Sequence, residues 1–139
     1  MALRQEGRTA VAVTRALADA ADLSADVSRL LGELEAPQAT PARQLAAMAA
    51  FDRRLFERAG DVITLVREAG RTEPELAAFY REVRADADGV RVRMFSSWPA
   101  GVFRSGQDVR SATDVYAALC TIDVYDVLTA ETLARELLA

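Results

Sequence analysis

Apolar residues recur every three to four positions along most of the chain, and no segment alternates between apolar and polar residues as a half-buried strand does. The first twenty or so residues, 2–21, are rich in alanine and compatible with a helix. A second helix is expected from Ser24, a suitable N-cap, to about Glu35, with Leu30 and Leu34 on its apolar face. The pattern predicts an all-α fold.

The central part of the chain carries clear helix start and stop signals. Thr40 followed by Pro41 combines an N-cap oxygen with proline in the first turn, so a third helix is expected to start there. We expect this helix to end at Gly60, and a short, mostly apolar helix to follow it as far as Gly70. In this interpretation Asp61 caps the short helix.

The longest predicted helix follows Gly70. Thr72 and Glu75 have the spacing of a capping box, and apolar residues continue at helical spacing as far as Met94. Residues 95–106 contain proline, glycine and serine and are predicted to form a loop. A last helical region is expected from about Asp108, bent near Thr121, with a short tail over 132–138.

Composition limits the possible functions. The chain has 139 residues, enough for one domain with a core, and its formal net charge of −4 argues against a self-contained nucleic-acid binder. All 17 basic residues are arginines, which lowers the information carried by any single arginine. We find neither a membrane-spanning apolar stretch nor a signal peptide, so a cytoplasmic location and no membrane partner are expected.

The residue types present also limit catalysis. The chain has no histidine and a single cysteine, so a Ser-His-Asp triad and a thiolate metal cage are both excluded, and no metal or other cofactor is expected. A small helical enzyme that uses carboxylates such as Asp61 and Asp86 stays open as the least favoured function. The run from Asp86 to Gly89 resembles part of a calcium loop, but a solvated helix face explains it better.

Two further features have ordinary structural explanations. The arginines on the long helix could meet an anionic ligand, but interleaved acidic residues favour an exposed, salt-bridged face. These arginines are Arg81, Arg84, Arg91 and Arg93. Cys120 is interpreted as a small apolar residue at a packed interface, with a redox-sensor role as the alternative.

Methionine and aromatic residues on the central helices form the most informative set. Side chains of this kind line apolar small-molecule sites between helices, although they also make ordinary cores. The candidate ligand-binding residues are Met48, Phe51, Leu55, Phe79, Val83, Met94 and Trp98.

Three segments carry a resemblance to a known family. Residues 110–128 contain Ala112-x-Asp-Val-x-x-Ala-Leu119, then Thr121, then Val124-Tyr-x-x-Leu128; residues 56–61 read FERAGD and residues 69–80 read AGRTEPELAAFY. In this order they resemble the ligand-binding half of TetR-type transcriptional regulators. The family's N-terminal helix-turn-helix has no counterpart in the sequence.

The resemblance implies a role for each part of one domain. Residues 1–36 would be leading helices, residues 40–98 would enclose a pocket for a small, mainly apolar effector, and residues 108–138 would form a four-helix bundle with a second copy of the chain. The implied interface residues are Val115, Tyr116, Leu119, Ile122, Tyr125 and Leu128. Operator DNA would be bound only through the missing helix-turn-helix. The alternative is a headless protein that heterodimerises with full-length regulators.

Overall fold

Every secondary-structure element in the described part of the chain is helical, which confirms the all-α prediction. The computed structural model describes residues 23–129 and, before them, residues 11, 13, 15 and 16. The elements are α1 (Leu23–Glu35), α2 (Pro41–Ala69), α3 (Pro74–Ser96), a 3-10 turn (Ala100–Val102), α4 (Val109–Leu119) and α5 (residues 122–129). Most of the predicted first helix, 2–21, and the predicted tail, 132–138, lie outside the described residues.

The N-termini of α2 and α3 differ in their side-chain capping. Thr40 caps α2 as predicted, because its hydroxyl oxygen accepts from the Arg43 amide at 3.3 Å. The capping box predicted at Thr72 is wrong, since Glu73 occupies the N-cap of α3 and makes no side-chain cap. The Thr72 hydroxyl instead donates to the carbonyl of Ala69, at the end of α2.

The start of α4 holds the capping box that the sequence analysis did not predict. Asp108 accepts from the Ser111 amide at 2.8 Å, and the Ser111 hydroxyl accepts from the Asp108 amide at 2.9 Å. The hydrogen bond from the Ser111 amide to the Asp108 carboxylate is the main cause of the lowered pKa of Asp108. Just before it, Gly106 has a φ of +81°, a conformation that L side chains rarely adopt, and it turns the chain into the helix.

Gly60 does not end a helix, contrary to prediction, because α2 runs through it without a break. A Cβ atom at this position would lie 3.2 Å from Cδ1 of Ile122, which is closer than ordinary van der Waals contact. The glycine therefore allows α5 to approach α2. Asp61 follows as an exposed residue inside the helix, so its predicted capping role is also wrong.

The predicted bend near Thr121 is confirmed as a break between α4 and α5. Cys120 and Thr121 are not helical, and the Thr121 hydroxyl oxygen accepts from the Val124 amide at 3.2 Å, in the manner of an N-cap. The break turns α5 back towards α2, where Asp123 bonds Arg67. The phenyl ring of Phe56 packs 5.6 Å from the ring of Tyr125.

The core lies where α1, α2 and α3 meet. One cluster of buried apolar residues there comprises Leu30, Met48, Met94 and Phe95. Beside them the Trp98 ring packs edge-on against Phe95, with centroids 4.9 Å apart, and its indole N–H donates to Gln44. Gln44 also donates to the Leu34 carbonyl at 3.0 Å, so one buried amide ties the loop after α3 to the end of α1.

An ion-pair cluster holds α1 against α2. Asp26 is buried, and its carboxylate lies 3.5 Å from Arg58, 3.8 Å from Arg29 and 3.9 Å from Arg54. Two of these arginines belong to α2, so the buried carboxylate on α1 is compensated from the neighbouring helix. None of the helices in the described ranges is long and apolar enough to cross a membrane.

Candidate ligand-binding cavity

A cavity of about 410 Å³ lies between α1, α2, α3 and the junction of α4 with α5. Its walls are mostly apolar, with Leu30 and Leu31 from α1, Phe51 and Ile63 from α2, and Ile122 from α5 among the lining residues. This volume falls within the range of about 300–1,000 Å³ that is usual for small-molecule sites. The cavity is therefore the main candidate for a functional site in the described part of the chain.

Most of the predicted ligand-binding residues line this cavity. They are Met48, Phe51, Leu55, Phe79 and Val83. Met94 and Trp98 do not line it, because Met94 is buried in the core beside Phe95 and the Trp98 indole is bonded to Gln44. The structure thus brings together one part of the predicted set and places the rest in structural roles.

Several lining residues were not among the sequence-based candidates. Val27, Leu30 and Leu31 come from α1, which the sequence analysis left outside the pocket region of residues 40–98. Ile122 was assigned to the dimer interface, yet it is only 2% exposed and lines the cavity. Its position depends on the break at Thr121, which was predicted, and on the missing side chain at Gly60, which was interpreted as a helix end.

Two buried residues of opposite charge line the cavity, Asp52 from α2 and Arg91 from α3, each 6% exposed. Their nearest atoms, Nη2 of Arg91 and Oδ2 of Asp52, are 3.8 Å apart. Asp52 also accepts from the Tyr116 hydroxyl at 2.5 Å, while Nη1 of Arg91 donates to Asp88 at 2.8 Å. The guanidinium carbon lies 4.8 Å from the centroid of the Tyr116 ring.

The same cluster raises the pKa of two neighbouring groups. Burial is the main cause of the raised pKa of Tyr116, and the negative charge of Asp52 and the hydrogen bond to it add to the effect. Burial, followed by the charge of Asp52, raises the pKa of the Cys120 thiol from 9.0 to about 12. Both groups are therefore neutral near pH 7, and Cys120, which lines the cavity, is an unreactive thiol rather than a thiolate.

The exposed, salt-bridged face predicted for the arginines of the long helix is wrong for Arg91, which is buried, and for Arg84, which is half-buried. Arg84 lies over the Tyr80 ring at 5.9 Å and its Nη2 atom is 3.5 Å from the Ala117 carbonyl oxygen. Arg81 and Arg93 are exposed, as predicted. Gly89 lies within the continuous α3 helix, and its neighbour Asp88 pairs with Arg91.

A signal for the buried charges was present in the sequence. Asp52 stands four residues after Met48 and three before Leu55, and therefore on the apolar side of α2. Arg91 stands four residues after Ala87 and three before Met94, on the apolar side of α3. A charged residue within each of two apolar stripes indicates a buried pair.

The predicted dimer residues divide into two groups. Val115 and Leu119 are 53% and 66% exposed, and Leu128 is exposed as well. Ile122 is buried, and the side chains of Tyr116 and Tyr125 point inward, so these three implied interface residues face the interior of the monomer. The break between α4 and α5 interrupts the helical register between the two groups.

Within the described residues, no group of three or more cysteine, aspartate or glutamate side chains is arranged to hold a metal ion. Asp61 and Asp86 are both exposed, and Asp86 is also among the residues that line the cavity. No known protein family, curated protein or solved structure matches the chain. The geometry of the cavity is therefore the basis for a functional hypothesis.

Proposed function

We propose that the protein binds a small, mainly apolar molecule in this cavity, as the effector-binding and dimerisation core of a TetR-type transcriptional regulator. The observation that carries the proposal is the cavity of about 410 Å³ with apolar walls and one buried pair of charges, Asp52 and Arg91. An apolar ligand gains free energy when it leaves water for such a site, and a few polar groups fix its orientation.

The cavity is tested by a titration with N-phenylnaphthylamine, a neutral apolar fluorophore whose emission rises when it leaves water. We expect saturable binding to the wild-type protein. Ala87 lines the cavity, so Ala87→Trp should fill part of it and weaken binding by about tenfold or more. Ala85 is an exposed residue of the same helix, and Ala85→Trp is the matched control that should bind like the wild type.

Absence of saturable binding to the wild-type protein contradicts the proposal. So does equal binding by the Ala87→Trp and Ala85→Trp proteins, because the fluorophore would then occupy another part of the surface. Thermal melting of each variant checks that it is folded under the conditions of the titration.

Homodimerisation is the second part of the proposal, and the exposed apolar residues of α4 support it. Val115 and Leu119 leave large apolar side chains in water on one side of α4. An isologous two-fold contact buries such a face in both subunits at once. Leu119→Arg should shift the protein to monomers in sedimentation equilibrium, whereas Leu65→Arg, at an exposed leucine of α2, should not.

The cavity and α4 are connected through Asp52, which lines the cavity and accepts the hydrogen bond of Tyr116 on α4. In the proposed regulator, an effector that contacts Asp52 shifts α4 and thereby alters the arrangement of two subunits. DNA recognition is not assigned to any described residue. A wild-type protein that stays monomeric at high concentration contradicts the dimer and leaves the ligand cavity as a separate proposal.

A further inference from the structure

The two buried charges on the cavity wall lie close together, one from α2 and one from α3. Nη2 of Arg91 and Oδ2 of Asp52 are 3.8 Å apart, which is too far for a direct hydrogen bond. Oδ2 of Asp52 also accepts from the Tyr116 hydroxyl, and Nη1 of Arg91 donates to Asp88. A carboxylate has about four lone-pair sites, so Asp52 can accept a further hydrogen bond from a group in the cavity. Polar atoms at such a separation are commonly bridged by a small polar group.

The charges around the cavity balance. Two carboxylates, Asp52 and Asp86, and two guanidinium groups, Arg84 and Arg91, are among the lining residues, so their formal charges cancel. A ligand with a charge of its own adds an uncompensated ion to this apolar site, at a large desolvation penalty. A ligand carboxylate would also lie next to the like charge of Asp52, and a ligand ammonium next to the like charge of Arg91. The site therefore favours an uncharged ligand.

We infer that the ligand is an uncharged alcohol with an apolar body, whose hydroxyl bridges Arg91 and Asp52. This inference rests on the proposed ligand-binding function. A hydroxyl accepts a hydrogen bond from Arg91 through its oxygen and donates its proton to Asp52, so it satisfies both members of the pair. An ether or a ketone only accepts, and therefore donates no hydrogen bond to Asp52.

The test compares four probes that share one apolar chain: octanol, octyl methyl ether, octanoate and octylamine. Each displaces N-phenylnaphthylamine from the wild-type protein, and the half-displacing concentrations are compared. Octanol should act at a concentration about tenfold lower than the ether, because the ether cannot donate to a carboxylate. It should also act at about tenfold lower concentration than either ionic probe.

A variant locates the selectivity at Asp52. Asp52→Asn keeps the size of the side chain and removes its charge, so octanoate should gain about tenfold relative to octanol, because Arg91 then lacks its buried counter-charge. Asp61 is an exposed aspartate on the same helix, and Asp61→Asn should keep the wild-type order of the probes. If Asp52→Asn does not fold, the order of the probes on the wild-type protein decides the matter.

The outcomes separate the alcohol inference from the proposed function. If the fluorophore binds and octanoate, octylamine or the ether displaces it as well as octanol does, the alcohol inference is overturned and the cavity remains a ligand site. The same holds if Asp52→Asn and Asp61→Asn leave the order of the probes equally unchanged. If the fluorophore itself does not bind, the proposed function fails.

Discussion

The hydroxyl of Tyr116 donates to Oδ2 of Asp52 at 2.5 Å, and this hydrogen bond joins α4 to α2 at the wall of the cavity. Arg91 of α3 lies against both residues, with its guanidinium carbon 4.8 Å from the Tyr116 ring centroid. Three helices therefore meet in one buried polar cluster. Because such a cluster fixes side-chain orientation in an otherwise apolar region, it defines the register between the helices.

Removal of the Tyr116 hydroxyl should destabilise the fold. Tyr116→Phe leaves the buried carboxylate of Asp52 without its shortest hydrogen bond, which should lower the free energy of unfolding by about 1–3 kcal/mol in urea denaturation. Tyr125→Phe is the control, because the Tyr125 ring packs against Phe56 and its change should cost less than about 0.5 kcal/mol. Equal losses in the two variants would show that the hydrogen bond to Asp52 adds no measurable stability.

Loss of Arg91 should be more severe. Arg91→Met leaves Asp52 as an uncompensated buried charge, so the free energy of unfolding should fall by about 3–5 kcal/mol. The exposed Arg93→Met should change it by less than about 0.5 kcal/mol. In a double-mutant cycle with Asp52→Asn, the loss of unfolding free energy in the double variant should be clearly smaller than the sum of the two single losses, because both substitutions remove the same interaction. Additive losses would indicate that the two side chains act independently.

Two glycines inside helices should respond differently to alanine. A Cβ atom at Gly89 would have no neighbour within 4 Å, so Gly89→Ala should raise the free energy of unfolding by about 0.5–1 kcal/mol through helix propensity. Gly60→Ala should gain less or lose stability, because Ile122 lies 3.2 Å from the new Cβ. Urea denaturation measures both. A larger gain at Gly60 than at Gly89 would mean that α5 does not pack closely on α2.

Cys120 should make stability depend on alkaline pH. Because its pKa is raised from 9.0 to about 12, the folded state holds the thiol proton more tightly than the unfolded state does. Its contribution is present in full below pH 9.0 and is lost as the pH rises from there towards about 12. The raised pKa of Tyr116 acts in the same direction.

This dependence is measured by urea denaturation across the alkaline range. The free energy of unfolding should fall with rising pH, and Cys120→Ala should reduce the slope. In the native state, alkylation of Cys120 by iodoacetamide near neutral pH should be about 100-fold slower than in denaturant, because little thiolate is present. A slope that Cys120→Ala leaves unchanged, together with fast alkylation of the native protein, would contradict the buried position of the thiol.

The all-α fold and one side of the cavity were predictable from helical periodicity. Met48, Phe51 and Leu55 form an apolar stripe on α2 that any helix of this pattern buries, and Phe79 and Val83 do the same on α3. Periodicity predicts which residues share a helix face. It does not predict which other helix packs on that face, so the contribution of α1 to the cavity was missed.

The remaining differences between the sequence-based predictions and the structure come from single residues whose type suits more than one structural role. Gly60 suggested a helix end, but glycine also allows two helices to approach closely, and only the contact with Ile122 distinguishes the two uses. Arg91 was assigned to an exposed face because charged residues are rarely buried unless paired. The position of Asp52 and Arg91 within apolar stripes was visible in each helix, but which two residues pair was not, because the pair spans two helices.

The most direct test of the central claim uses the methionines as reporters. The chain has three, of which Met48 lines the cavity and Met94 is buried in the core outside its lining. With the methionine methyl groups labelled with a magnetic carbon isotope, nuclear magnetic resonance follows each of them as N-phenylnaphthylamine is added. We expect the Met48 signal, assigned with Met48→Leu, to shift saturably and by more than that of Met94. An unchanged Met48 signal, or a larger shift at Met94, would contradict a ligand site in this cavity.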